Sequence, residues 1–147
     1  LPDARPARHW RRLCICLAAP LLIGCDMAQM DDFTRSLLTN DEVIDVNQDP
    51  LGLQAVPVWQ QGDQVIYAKH LEDGSMAVGL FNRGWQTVKM NFTLRMLGLR
   101  GRQTVRDLWR QKDLTECTDK FETAVAPHGV VLVRVYPGNS REQATGK

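Results

Sequence analysis

The chain has 147 residues, enough for one ordinary domain or for a small domain joined to part of another. Hydrophobic residues make up 44% and charged residues 24%, near globular averages, so most of the chain is expected to fold. A formal net charge of +1 is too weak to draw nucleic acid, and no apolar run approaches the ~20 residues of a membrane-spanning helix.

The chain opens with "LPDARPARHWRR", two prolines among four arginines and no amphipathic period. The stretch that follows, "LCICLAAPLLIGCDMAQ", supports two readings. Basic residues, an apolar stretch and a small residue before Cys25 have the parts of a lipoprotein export signal, with Cys25 acylated. Alternatively, "APLLIG" is a short apolar run suited to a strand buried on both faces. Asp26 would then leave the strand's C-terminal end, where barrels of alternating strands and helices place their active sites, or would merely cap the next turn. The signal reading requires a flexible tether after Cys25, whereas helical pattern begins at once. Cys14, Cys16, Cys25 and Cys117 have neither disulfide-framework nor zinc spacing and are expected to be free, mostly buried thiols.

Asp31 or Asp32 can cap a helix through "FTRSLL", with Phe33, Leu37 and Leu38 on one face. Thr39 followed by Glu42 fits a capping box for a second helix whose apolar side is Val43, Ile44 and Val46, ended by Pro50 and Gly52. Beyond this the period shortens. "QVIYAKHL" and "MAVGLFN" flank Glu72-Asp73-Gly74-Ser75 as a hairpin, Asp-Gly tolerating the positive φ of a tight turn. In "WQTVKMNFTL", Val88, Met90, Phe92 and Leu94 alternate with Thr87, Lys89, Asn91 and Thr93, as in a half-buried strand. "QTVRDLW", "KFETAV" and "GVVLVRVY" complete about six strands, predicting a small antiparallel sandwich.

Few residues carry an obvious chemistry. Asn91-Phe92-Thr93 is a formal glycosylation sequon, read as a chance match on the polar face of a strand. His9, His70 and His128 lie far apart and near no nucleophile motif, and are expected at the surface or in turns. Trp59, Trp85 and Trp109 could form a sugar-stacking platform, but tryptophans in a small sandwich are expected in its core.

The residues then carry a resemblance. "LAAPLLIGCDMAQMDDFTRSLLTNDEVIDVNQDPLG", with "KHLEDGSMAVGLFNRG", "VRDLWRQKDL" and "PHGVVLVRV" after it, resembles the family 27 glycoside hydrolases, the α-galactosidases, over about residues 17 to 136. "NQDPLG" and "GLFNRG", each in its place, make the resemblance specific. It implies an α+β fragment: residues 1–53 as the remnant of the end of a (β/α)8 barrel, residues 54–137 as an all-β antiparallel, Greek-key-like sandwich, and residues 138–147 as a disordered tail. A lipoprotein signal has no reason to precede such a context. Residues 1–16 depart from the pattern, because Pro6 and the arginines stand where the family has an amphipathic helix; a local frameshift or imprecise gene start is the expected cause, and resequencing checks it.

The resemblance also implies a chemistry and where it resides. Family members are retaining glycosidases, whose two carboxyl groups lie roughly 5 Å apart across the scissile bond. In the family both aspartates, and the Asp-Met pair that contacts the sugar, lie on segments upstream of this sequence, so Cys25-Asp26-Met27 is not that pair. No residue here is therefore assigned to catalysis, substrate or metal, and no cofactor is expected. The expected substrate is a terminal α-galactoside, cleaved with the missing barrel portion in place; the chain alone is expected to be inactive. No nucleic-acid or membrane partner is expected, and a homodimer and the compartment are left open. Two further expectations are a non-catalytic carbohydrate-binding sandwich and, less compatible with the resemblance, an acyl-anchored lipoprotein.

Overall fold

Asp31 accepts a hydrogen bond from the backbone N–H of Thr34 at 2.6 Å and starts helix α1 (Asp32–Leu38). This is the first regular element among the described residues, 30–138, of the computed structural model. The "APLLIG" strand, His9, Asp26, Cys14, Cys16, Cys25 and the tail from residue 139 lie outside the described residues.

Helix α2 (Asp41–Asn47) follows, and here the expected capping box is not formed. Asn40 is the cap, its side-chain oxygen accepting from the Val43 N–H at 3.1 Å. Thr39 instead closes α1, donating its hydroxyl to the Arg35 carbonyl at 3.0 Å. The physical reason is a competing partner: the Asn40 amide also donates to the Leu108 carbonyl, 3.0 Å away across the molecule, while Glu42 turns to an arginine of the sheet. Val43 and Val46 are buried and α1 buries nothing among the described residues, so only α2 is built into the core.

Eight strands follow: β1 (Val56–Gln61), β2 (Gln64–His70), β3 (Met76–Asn82), β4 (Val88–Thr93), β5 (Gln103–Asp107), β6 (Lys112–Cys117), β7 (Lys120–Val125) and β8 (Val130–Pro137). Six form one antiparallel sheet in the order β1-β2-β3-β8-β5-β6, and β4 and β7 pair as a second. The chain leaves the large sheet for β4, returns for β5 and β6, leaves again for β7, and inserts β8 between β3 and β5. That crossing of layers is Greek-key-like, as the resemblance implied.

Burial explains the sequence pattern. Met90, Phe92, Phe121 and Val125 of the small sheet pack on Ile66, Val78, Leu80, Val105, Val133 and Val135 of the large one. On the opposite face of the large sheet, Val43 and Val46 of α2 pack with Ala77, Phe81, Leu108, Val130 and Leu132. Strand β3 lies between both layers, and all seven of its residues are buried. Hence "MAVGLF" reads as a continuous apolar run, whereas β4, covered on one side only, alternates as expected.

Three local details differ from expectation. The β2–β3 hairpin closes with a backbone bond from the Gly74 N–H to the Leu71 carbonyl at 3.0 Å, and only Gly74 adopts positive φ; Asp73 does not. The β4 strand stops at Thr93, whose hydroxyl accepts from the Met96 N–H and turns Leu94 into a short 3-10 helix (Leu94–Leu97). Strands β1 and β6 were not visible as strands, and both are edges of the large sheet.

Candidate functional site

Arg106 of β5 lies on the face of the large sheet that meets α2. Its Nε and Nη2 donate to Glu42 at 2.8 and 2.6 Å in a two-pronged pair, and Nη1 donates to Asp113 of β6 at 2.9 Å. Tyr136 donates its hydroxyl to the same Asp113 oxygen at 3.0 Å. One guanidinium thus ties the first turn of α2 to two strands. The Glu42 bond, opposed by desolvation and aided by Asp113, holds Arg106 further above its ordinary range.

The other end of α2 is held by a cation too. The helix has no basic residue in its last turn, and Lys69, 3% exposed on β2, donates its ammonium to the Val46 carbonyl at 2.6 Å. Asp49 accepts from the Glu72 N–H at 2.9 Å, so the segment after the helix is also fastened. At its C-terminal end the helix dipole is complemented by the sheet's ammonium; at its N-terminal end the complementary charges are the helix's own Asp41 and Glu42, and the sheet's guanidinium pairs with Glu42.

Carboxylates elsewhere in the described residues serve the fold. Asp107, 4% exposed, accepts from the Trp109 and Arg110 N–H groups at 2.9 and 3.1 Å and pairs with the Arg110 guanidinium at 2.7 Å. Asp73 binds the Ser75 N–H and the Arg134 guanidinium. Burial works to raise its pKa, but the Ser75 and Arg134 bonds outweigh that and hold the carboxyl below the usual aspartate range. A surface depression lined by Arg102, Glu116, Cys117, Thr118, Asp119 and Lys120 gathers polar groups. Its Glu116 is exposed and pairs with Arg102, and burial, with Asp119 nearby, pushes the Cys117 thiol up, the reverse of an activated nucleophile. No cluster of potential metal ligands occurs among the described residues, and no helix there is long and apolar enough to cross a membrane.

A second arrangement sits at the far end of β3. Asn82, 1% exposed, directs its amide nitrogen at the carbonyls of Gln86, Val125 and Ala126 (2.7, 3.1 and 3.0 Å), and its oxygen accepts from the Gly84 N–H at 3.0 Å. It pins the β3–β4 loop to the β7–β8 loop. Gly129 lets the latter turn tightly, since a Cβ there would lie 2.7 Å from the Ala126 carbonyl oxygen. The pinned loops present Trp85 and His128 as an edge-to-face pair, centroids 4.2 Å apart and planes at 86°.

The sequence candidates are dispersed by this geometry. His70 and His128 are exposed, as expected, at a strand end and in a turn. Trp59 and Trp109 are partly buried against opposite cores, but Trp85, expected inside, is 84% exposed because its loop is tied down by Asn82 beyond the reach of either core. The three indoles form no common platform. Asn91 lies on the open face of β4, opposite Glu122. Neither Arg106 nor Asn82 was singled out from sequence. The Arg106–Glu42 pair spans 64 positions and has no local signature, whereas the polar residue ending the apolar "MAVGLF" run was a signal for Asn82.

Comparison with known proteins bears on what this arrangement belongs to. A family model described as "Alpha galactosidase C-terminal beta sandwich domain" matches residues 61–135. A probable alpha-galactosidase of Dictyostelium discoideum is 37% identical over 129 residues, covering 84% of this chain and 34% of the relative. Alpha-galactosidase I of Mortierella vinacea superposes with a TM-score of 0.84 at 30% identity, covering 90% of this chain and 36% of that one. A GH27 β-L-arabinopyranosidase from Geobacillus stearothermophilus superposes with a TM-score of 0.86 at 28% identity, over 94% of this chain and 31% of its own. The chain thus spans about a third of the length of the relatives it matches.

Proposed function

This chain belongs to the family of α-galactosidase C-terminal β-sandwich domains carried by family 27 glycoside hydrolases, and on that premise we propose that it forms the carboxyl-terminal part of a retaining glycosidase acting on terminal α-galactosyl groups. The observation that carries this reading is the family match over residues 61–135. The joint on Arg106 supports a role for the sandwich: it anchors the last helix before it, α2, as a support for whatever that helix belongs to.

The chain alone is proposed to be inactive. A retaining mechanism needs a nucleophilic carboxylate and a carboxylic acid facing each other across the sugar, roughly 5 Å apart. Glu42 and Asp113 flank one guanidinium that is bound to both, which leaves no space between them for a sugar. The reacting pair is assigned to the barrel segment of a longer protein. Substrate choice, such as that between a galactoside and an arabinopyranoside, which differ by the hydroxymethyl group, is assigned there too.

The test is hydrolysis by two proteins. The 147-residue chain, and the same chain extended by whatever coding sequence lies upstream, are incubated with aryl α-galactoside and aryl β-L-arabinopyranoside. Turnover of the galactoside by the extended protein alone is expected. Turnover by the short chain above a heat-killed control overturns the inactivity; an extended protein that cleaves only the arabinopyranoside overturns the substrate.

A further inference from the structure

The Trp85 indole is the most exposed of the large apolar side chains among the described residues: 84%, against 59% for the next, Val56. It is not a loose residue on a loose loop. Beyond the four Asn82 contacts, the Asn82 N–H donates to the Gly129 carbonyl at 2.9 Å, the His128 N–H to the Gly84 carbonyl at 3.1 Å, and the Arg83 N–H to the Asp63 carbonyl at 2.8 Å. His128 is held at φ +48, a left-handed conformation that a non-glycine residue rarely adopts, and its ring braces the indole from one side. A rigid loop presents an apolar ring to water, which forgoes the stabilisation a buried aromatic provides.

We propose that Trp85 is a stacking site for the pyranose ring of a galactoside, with His128 bracing it and supplying a polar edge. This rests on the reading of the chain as part of an α-galactosidase, and adds to it a contact outside the reaction centre. Size selects the ligand. Trp85 is the one large exposed hydrophobic of these two loops and its neighbours Arg83 and Gln86 are exposed and polar, whereas a stable protein interface needs roughly 800 Å² from each partner. One face of a galactopyranose, where the axial 4-hydroxyl points away, is a C–H surface about the size of an indole. Its rim hydroxyls can meet the His128 ring nitrogens, the Arg83 guanidinium and the Gln86 amide. With its loops already pinned, the ring loses little freedom on binding.

The site is weak by design, being convex, and is expected to bind in the millimolar range. The experiment is ligand-observed saturation-transfer NMR on the full 147-residue chain with methyl α-galactoside, and methyl α-glucoside as comparison. Saturable transfer to H3, H4 and H5 of the galactoside is expected, with binding at least about tenfold weaker for Trp85→Ala and largely kept for Trp85→Tyr. Both variants replace an exposed side chain, and thermal unfolding verifies that they remain folded. Absence of galactoside binding, binding unchanged in Trp85→Ala, or equal binding of the glucoside overturns the proposal. The readout involves no hydrolysis, so the site can fail while the extended protein cleaves galactosides, or stand while it does not.

Discussion

Asn82 shows how much one buried amide can hold. It satisfies carbonyls from two loops that share no sequence proximity, and each would be left without that donor if the side chain were removed. Asn82→Ala is expected to cost about 2–4 kcal/mol, since several hydrogen bonds of about 1 kcal/mol each are lost and buried acceptors remain. Urea denaturation of variant and parent measures this. Asn82→Asp is expected to be no milder, because a carboxylate has no hydrogens to give those carbonyls. At Asp73 the expectation concerns pH. The folded carboxyl titrates below its unfolded value, so its stabilising charge is complete above the unfolded value near 3.9 and is lost as pH falls through the folded one. Asp73→Asn should therefore be less stable than the parent at neutral pH, and the difference should shrink as pH falls from about 5 to below 3. Chemical denaturation repeated across that range tests it, and a gap independent of pH contradicts it.

Among elements, α2 depends most on its surroundings. Seven residues are too few to be a stable helix alone, so its order comes from Val43 and Val46 and from the polar contacts at its two ends. Arg106→Ala removes one of those ends and leaves Glu42 and Asp113, 22% and 25% exposed, without their shared cation. A loss of about 2–3 kcal/mol is expected, below that for a fully buried pair because solvent partly screens the site. Arg106→Lys should recover little, since an ammonium cannot hold Glu42 through two parallel bonds and reach Asp113 as well. Thermal unfolding ranks the three proteins. The elements also divide by how legible they were. Strands covered by packed layers carried their pattern openly: alternation in β4, an unbroken apolar run in β3. The two edge strands did not, for a common reason. β1 contains Pro57 and is mostly exposed, and β6, "KDLTEC", buries none of its residues. Edges are kept polar or interrupted against unwanted pairing, which removes the signature by which a strand is read. The cap of α2 was misplaced by one residue because Asn40 is fixed by Leu108, 68 positions away, and a local motif contains no trace of that.

At the scale of the whole molecule, the domain boundary inferred at residue 53 meets the packing of α2 on the sheet. Val43 and Val46 share a core with Ala77, Phe81 and Leu132, and Asn40 is bonded to the Leu108 carbonyl, so protection from proteolysis is expected to reach back to about Asn40 rather than to begin near Gln54. Limited digestion followed by mass mapping of the surviving fragment decides it; a stable product starting at Gln54 would show that the helix is dispensable. The family itself was legible in the sequence because its motifs are local strings, "NQDPLG" leaving the end of α2 and "GLFNRG" running from β3 into the following loop. The conformation of the loops that carry Trp85 and His128 was not, because it depends on a hydrogen-bonding hub and not on periodicity.

The position of β8 has a consequence for how the protein is made. Strands β1 to β3 form one ribbon and β5 with β6 another, and within the large sheet nothing but β8 pairs with both. During synthesis the two ribbons must therefore wait, each with a raw edge, until Val130–Pro137 emerges and zips them together. A premature stop just before Val130 would leave two half-sheets rather than a slightly shorter sheet.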